Sequence, residues 1–185
     1  RAPRSATRQL RGTLKTNATM WPLVEAPTAG RRLAAYNIDE VDKLTADAAA
    51  AGDSFGWSVA IAGNTVVIGA YQYNNGGSGA AYVLRTTDGG ATYGQVAKLT
   101  AADAAAYDSF GYSVAIDGST VVVGANAKNS GRGAVYVFRT SDGGATYAEV
   151  AKLTASDAAG SDNFGRSVAI AGDTVVVGAD HDDSE

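Results

Sequence analysis

The chain has 185 residues, with 23 glycines, three prolines, no cysteine and a net charge of −4, a length that suits one ordinary domain with a sizeable core. The absence of thiols excludes a disulfide framework and a thiolate metal site. Charge is uneven: Arg1, Arg4, Arg8, Arg11, Lys15, Arg31 and Arg32 face one acid, Glu25, in residues 1–32, so the remainder is acidic and argues against a nucleic-acid footprint.

Residues 1–35 hold all three prolines and show little periodicity. They read as a basic, disordered leader or linker. Within them Asn17-Ala18-Thr19 is an N-glycosylation sequon, a triplet that chance supplies often. No run of 18 apolar residues occurs anywhere, so no membrane-spanning helix is expected.

From residue 36 the chain copies itself. Glu40-Val41-Asp42-Lys43-Leu44 matches Glu149-Val150-Ala151-Lys152-Leu153, so the repeat region opens over 36–44 with an outermost strand whose own repeat is otherwise missing. Ala46–Ala51 is alanine-rich but falls where a connection between repeats belongs, and reads as a loop or a single turn. Asp53 then precedes Phe55-Gly56, as Asp108 precedes Phe110-Gly111 and Asp162 precedes Phe164-Gly165. These acids read as turn residues that bond the backbone, and each Phe as a filler between repeats.

SVAIA (58–62) alternates, with Val59 and Ile61 on one face. After the turn pair Gly63-Asn64, TVVIGA (65–70) runs apolar, as a strand covered on both faces does. AAYVLRT (80–86) is a third strand. TDGGAT turns the chain into a fourth, YGQVAKLT (93–100). The same series follows from Phe110 to Leu153, and its first half again from Phe164.

Self-similarity at 54 or 55 residues, with four hairpin-linked strands per copy, predicts an all-β chain of β-propeller blades. The alternative is an antiparallel β-solenoid. Blades are expected at 55–99 and 110–153, with a half blade at 164–185, about two and a half blades in all. Such an arc leaves faces uncovered. The expectation is a longer polypeptide with further copies, and the alternative is assembly of partial arcs into an oligomer.

DSFGWSVAIAGNTVVIGA, DSFGYSVAIDGSTVVVGA and DNFGRSVAIAGDTVVVGA resemble FG-GAP repeats, the blade sequences of integrin-α-like propellers. The resemblance covers residues 40–185. It departs from the family pattern after Gly-Ala, where Tyr71, Asn126 and Asp180 stand in place of a proline. TTDGGATY (86–93) and TSDGGATY (140–147) resemble the Asp-box, which in sialidases and other propellers turns the third strand of a blade into the fourth. That reading makes Asp88, Gly90, Asp142 and Gly144 structural. A catalytic role for the two acids is the competing reading, and repetition opposes it.

The loop after each second strand is the part that the copies do not share: YQYNNGGSG, NAKNSGRG and DHDDSE. Variable loops on a fixed scaffold commonly carry recognition. Tyr71, Gln72, Tyr73, Asn74, Asn126, Lys128, Asn129 and Asp180 are therefore the candidate ligand-binding residues. Asp180, Asp182 and Asp183 are a candidate calcium cluster, although a solvated polar loop is the simpler reading and no cofactor is otherwise implied. Integrin-type calcium loops do not carry over, because the connection between the first two strands is too short to wrap the ion. Trp57, Tyr112 and Arg166 share one position in the repeat, two residues after each Phe, and are expected near a rim.

The function implied by the resemblance is a non-catalytic binding or adhesion module, extracellular or at the cell surface, with a protein or glycan as partner. A purely structural repeat is the alternative. A sialidase-like hydrolase is a third, opposed by the few arginines in the repeats and by a single histidine, His181.

Overall fold

The computed structural model describes residues 11–12, 38–39, 43–47, 51–71 and 76–181. Its strands, in chain order, are β1 Arg11–Gly12, β2 Ile38–Asp39, β3 Ser58–Ala62, β4 Thr65–Ala70, β5 Ala80–Arg85, β6 Gly94–Leu99, β7 Phe110–Asp117, β8 Thr120–Ala125, β9 Ala134–Arg139, β10 Ala148–Leu153, β11 Ser167–Ala171 and β12 Thr174–Gly178. β3-β4-β5-β6 and β7-β8-β9-β10 are four-stranded antiparallel meanders, and β11-β12 is a hairpin. Among the described residues the chain is thus nearly all-β, with two whole propeller blades and half of a third. The connection expected at Ala46–Ala51 contains turns at Asp47 and Ala51, and residues 48–50 lie outside the described set.

Each hairpin follows from its glycine. Ala62 pairs with Thr65, so Gly63-Asn64 is a two-residue loop. Gly63, Gly118 and Gly172 have φ of 55°, 53° and 56°, as the first position of a type II′ turn requires. β4 and β8 are apolar after their first threonine because a neighbour lies on each side: Val67, Val121, Val122 and Val123 are fully buried. The outermost strands, β6 and β10, are half exposed.

The core lies between blades rather than inside one. Val67, Ala81, Val83 and Leu99 of the first blade cluster with Val114, Ile116, Val121, Val123, Tyr136 and Phe138 of the second. Phe110 is the keystone, fully buried with ring centroids 5.5 Å from Tyr136 and 6.0 Å from Phe138. Phe55 packs on Tyr82 in the same way, at 5.5 Å.

Polar contacts repeat across the blade boundary. Ser58 Oγ donates to the Gly111 carbonyl at 2.9 Å, and Ser113 Oγ to the Gly165 carbonyl at 2.7 Å. That approach needs glycine at the second strand's end: a Cβ on Gly69 or Gly124 would lie 2.0 Å from the same carbonyl oxygens.

The expected leader and outer strand are described only in part. Within 1–35, Arg11–Gly12 forms β1, which pairs antiparallel with β2. Of the expected strand 36–44, Ile38–Asp39 is β2, Lys43 and Leu44 are not in a strand, and 40–42 lie outside the described residues.

Candidate ligand-binding face

A blade has two ends. At one lie the hairpins and the TTDGGATY and TSDGGATY turns. At the other lie the Phe-Gly segments, the connections between blades and the loops after the second strand.

At the first end each carboxylate is consumed by its own turn. Asp88 Oδ1 accepts from Thr86 Oγ1 at 2.7 Å and from the Thr92 amide at 2.9 Å, and Oδ2 accepts from Thr92 Oγ1 at 2.6 Å. Asp142 repeats this with Thr140 and Thr146, and adds the Ala145 amide at 2.9 Å. The threonine hydroxyl and amide bonds hold both carboxyls far below the usual range. Gly90 and Gly144 both have φ of 94°, a left-handed backbone that glycine alone adopts freely. Arg85 Nη1 donates to the Gly143 carbonyl and so ties the first blade to the second blade's turn. Both carboxylates thus stay ionised and spend their oxygens on bonds that close their own turns.

At the other end the acids before Phe-Gly are buried: Asp53, Asp108 and Asp162 are 4 %, 5 % and 7 % exposed. Asp108 Oδ2 accepts the Ala105 amide at 2.7 Å, and Asp162 Oδ2 accepts the Ala159 amide. Asp108 and Asp162 close the turns expected of them.

The candidate ligand residues divide sharply. Lys128 points inward: it is 4 % exposed, its ammonium lies 2.7 Å from Asp108 Oδ2, and it also donates to the Asp103 carbonyl. Reversal of the loop at Asn129 and Ser130, with φ of 52° and 63°, sends the chain over it. Lys128 is thereby an internal cation rather than a surface contact. Asn129 is exposed, and Asn126 is 93 % buried by its 7 % exposure, with Oδ1 unpartnered. Gln72, Tyr73 and Asn74 lie outside the described residues, as do Asp182 and Asp183 of the expected metal cluster. The described residues contain no group of three or more metal-ligating side chains.

Tyr71 and Asp180 are brought together with residues the loop argument left out. Tyr71 packs on Trp57 at 4.8 Å and on Tyr112 at 5.7 Å between ring centroids, and Trp57 lies 5.5 Å from Tyr112. Arg166 stacks over Tyr112 at 5.5 Å, and its Nε reaches Asp180 Oδ2 at 2.6 Å. Trp57-Tyr71-Tyr112-Arg166-Asp180 is therefore one continuous strip across three blades, with Trp57 52 % exposed. Asp180 also bonds His181 Nδ1 and Asn163 Nδ2, at 3.0 and 3.2 Å. Desolvation raises its pKa, but those bonds and the Arg166 charge outweigh it and leave the carboxyl below the usual range. The signal for the missed residues was present: one position, two residues after each Phe, changes in every copy while its neighbours do not.

At the same end is a cleft of about 240 Å³ lined by Asn129, Arg132, Thr154, Ala155, Ser156 and Ala158. That is below the ~300–1,000 Å³ of small-molecule pockets.

A family model for the FG-GAP repeat matches residues 38–84, 93–138 and 147–185. Comparison with curated proteins returns no match.

Proposed function

The chain belongs to the FG-GAP repeat family, whose members are typically extracellular or surface proteins, and from that footing we propose that it is a non-catalytic binding module, outside the cell or on its surface, with a protein or glycan ligand laid across the Trp57-Tyr71-Tyr112-Arg166 strip. The fold alone assigns no ligand. What supports the reading is that strip: the exposed Trp57 ring, the half-buried Tyr71 and Tyr112 rings and the exposed Arg166 guanidinium, gathered at the positions where otherwise near-identical repeats differ. Aromatic and arginine side chains are the usual anchors of recognition surfaces. The hydrolase alternative has no comparable support. Asp88 and Asp142 are held by their turns, and His181 meets Asp180 and Asn163 rather than a nucleophile.

Glycan-array and cell-binding measurements test the reading. Trp57→Ala and Tyr71→Ala are expected to weaken any binding found by tenfold or more, on the order of 1.4 kcal/mol. Chelation of calcium is expected to leave it unchanged. A ligand whose affinity ignores both substitutions overturns the assignment of the face, and the absence of any glycan or cell ligand favours a structural repeat instead.

A further inference from the structure

The inner strands of the three repeats place nearly one sequence in three environments. Val114 and Ile116 of β7 are 8 % and 9 % exposed, whereas their counterparts in β3, Val59 and Ile61, are 66 % and 65 % exposed. On the opposite face, Val67 of β4 and Val122 of β8 are fully buried, whereas Val176 of β12 is 62 % exposed. The side chains are the same, so the difference is the neighbour. Val114 and Ile116 are covered by Ala60, Ala62 and Val67 of the preceding blade. The hairpin β11-β12 presents the matching Ala169, Ala171 and Val176 to solvent.

The bare area on the first blade has a definite width. Its outer part is already covered, since Ile68, Tyr82 and Leu84 pack with Leu44, Ala46 and Phe55. What stays open is the strip along β3; its counterpart on β7 is covered by Ala60, Ala62 and Val67 of β3 and β4, the inner pair of the preceding blade, and β11-β12 is such an inner pair. The polar lock is half-built as well. Ser58 and Ser113 reach a glycine carbonyl of the next blade, and Gly69 and Gly124 leave room for it. Gly178 keeps the same vacant Cβ position, with only Ser167 of its own hairpin beside it.

We propose that copies of this chain dock head to tail, with the β11-β12 face of one seated on the β3 face of the next. The joint repeats the contact between the first and second blades, with Ser167 donating to the Gly56 carbonyl of the neighbouring copy. It is heterologous, because the two faces come from different parts of the chain. It therefore propagates until a ring closes or a fibre forms. Exposed apolar surface of this kind, matched to a surface the protein already buries internally, is what such an association needs.

Light scattering on the full 185-residue chain across a concentration series tests this. The wild-type mass is expected to rise above the 18.7 kDa of one chain. Ile61→Asp and Val176→Asp should each be monomeric with unchanged far-UV circular dichroism, because both side chains are exposed in a single copy. An equimolar mixture of the two keeps one intact β3 face and one intact β11-β12 face. It should pair and stop at twice 18.7 kDa. Rings and fibres both support the proposal. A wild-type chain monomeric up to its solubility limit assigns these faces to another occupant, a flanking repeat among them, and overturns it. So does assembly that survives either substitution, or a mixture that stays monomeric.

Discussion

Lys128→Met isolates the buried ion pair beneath the candidate ligand face. The Lys128 and Asp108 side chains are 5 % and 7 % exposed, and their charged atoms lie 2.7 Å apart. Removing one partner of such a pair leaves the other charge desolvated, at about 3–5 kcal/mol. Two features favour the low end. Asp108 keeps its bond from the Ala105 amide, and methionine fills most of the space left by the lysine stem. The second contact, from Lys128 to Asp103 at 3.5 Å, adds little because Asp103 is 48 % exposed and screened by water. We expect a loss of about 3 kcal/mol, equivalent to a fall of roughly 6–12 °C in Tm for a chain of this size. Urea denaturation of wild type, Lys128→Met, Asp108→Asn and the double variant forms the test. The double variant should cost about as much as either single one, since residues in one network do not add. A Lys128→Met variant within ~0.5 kcal/mol of wild type, the range of ordinary surface changes, would refute the reasoning. So would strict additivity.

Three further outcomes are expected. Gly124→Ala puts a methyl 2.0 Å from the Gly165 carbonyl, where neither backbone can yield, so hydrogen exchange should show β11-β12 amides losing protection while β3–β6 keep theirs; uniform protection would contradict it. Because the Thr146 and Thr140 bonds lower the folded-state pKa of Asp142 below its ordinary 3.8, its contribution is present above that value and is lost as the pH falls beneath it. Asp142→Asn should therefore be less stable at neutral pH yet decline less steeply in acid, and parallel acid-unfolding curves would count against this. Asp103 is held at about 2 by Lys152 and the Tyr136 hydroxyl, so its contribution is lost between pH 3.8 and about 2, and Lys152→Met should move its carbon-13 carboxyl titration upward; an unmoved titration would show that Lys152 is not the cause.

The strands were legible because each is decided within a few residues. Alternation in SVAIA, the apolar run of TVVIGA and a glycine in every hairpin need nothing from elsewhere in the chain. The TTDGGATY turn was legible for the same reason, since its hydrogen bonds span two to four residues. The residues of the aromatic strip were legible one by one, as variable positions, but their assembly into a strip was not, because its contacts cross repeats. Tyr71 meets Tyr112, and Tyr112 meets Arg166, pairings that a pattern read inside one repeat does not contain.

Lys128 shows the same limit from the opposite direction. It sits in a variable polar loop, and by composition belongs with exposed contacts. Two consecutive left-handed residues, Asn129 and Ser130, fold the loop back and leave the ammonium facing Asp108. Neither residue announces that conformation, since asparagine adopts it only sometimes and serine seldom. The variability of this loop among repeats thus has two different physical sources. At Tyr71 and Asp180 it changes what solvent meets, whereas at Lys128 it changes how a buried carboxylate is neutralised. Burial, not variability, is what separates a candidate contact residue from a local repair of the fold, and it separates Trp57, 52 % exposed, from Lys128, 4 % exposed, on this one face.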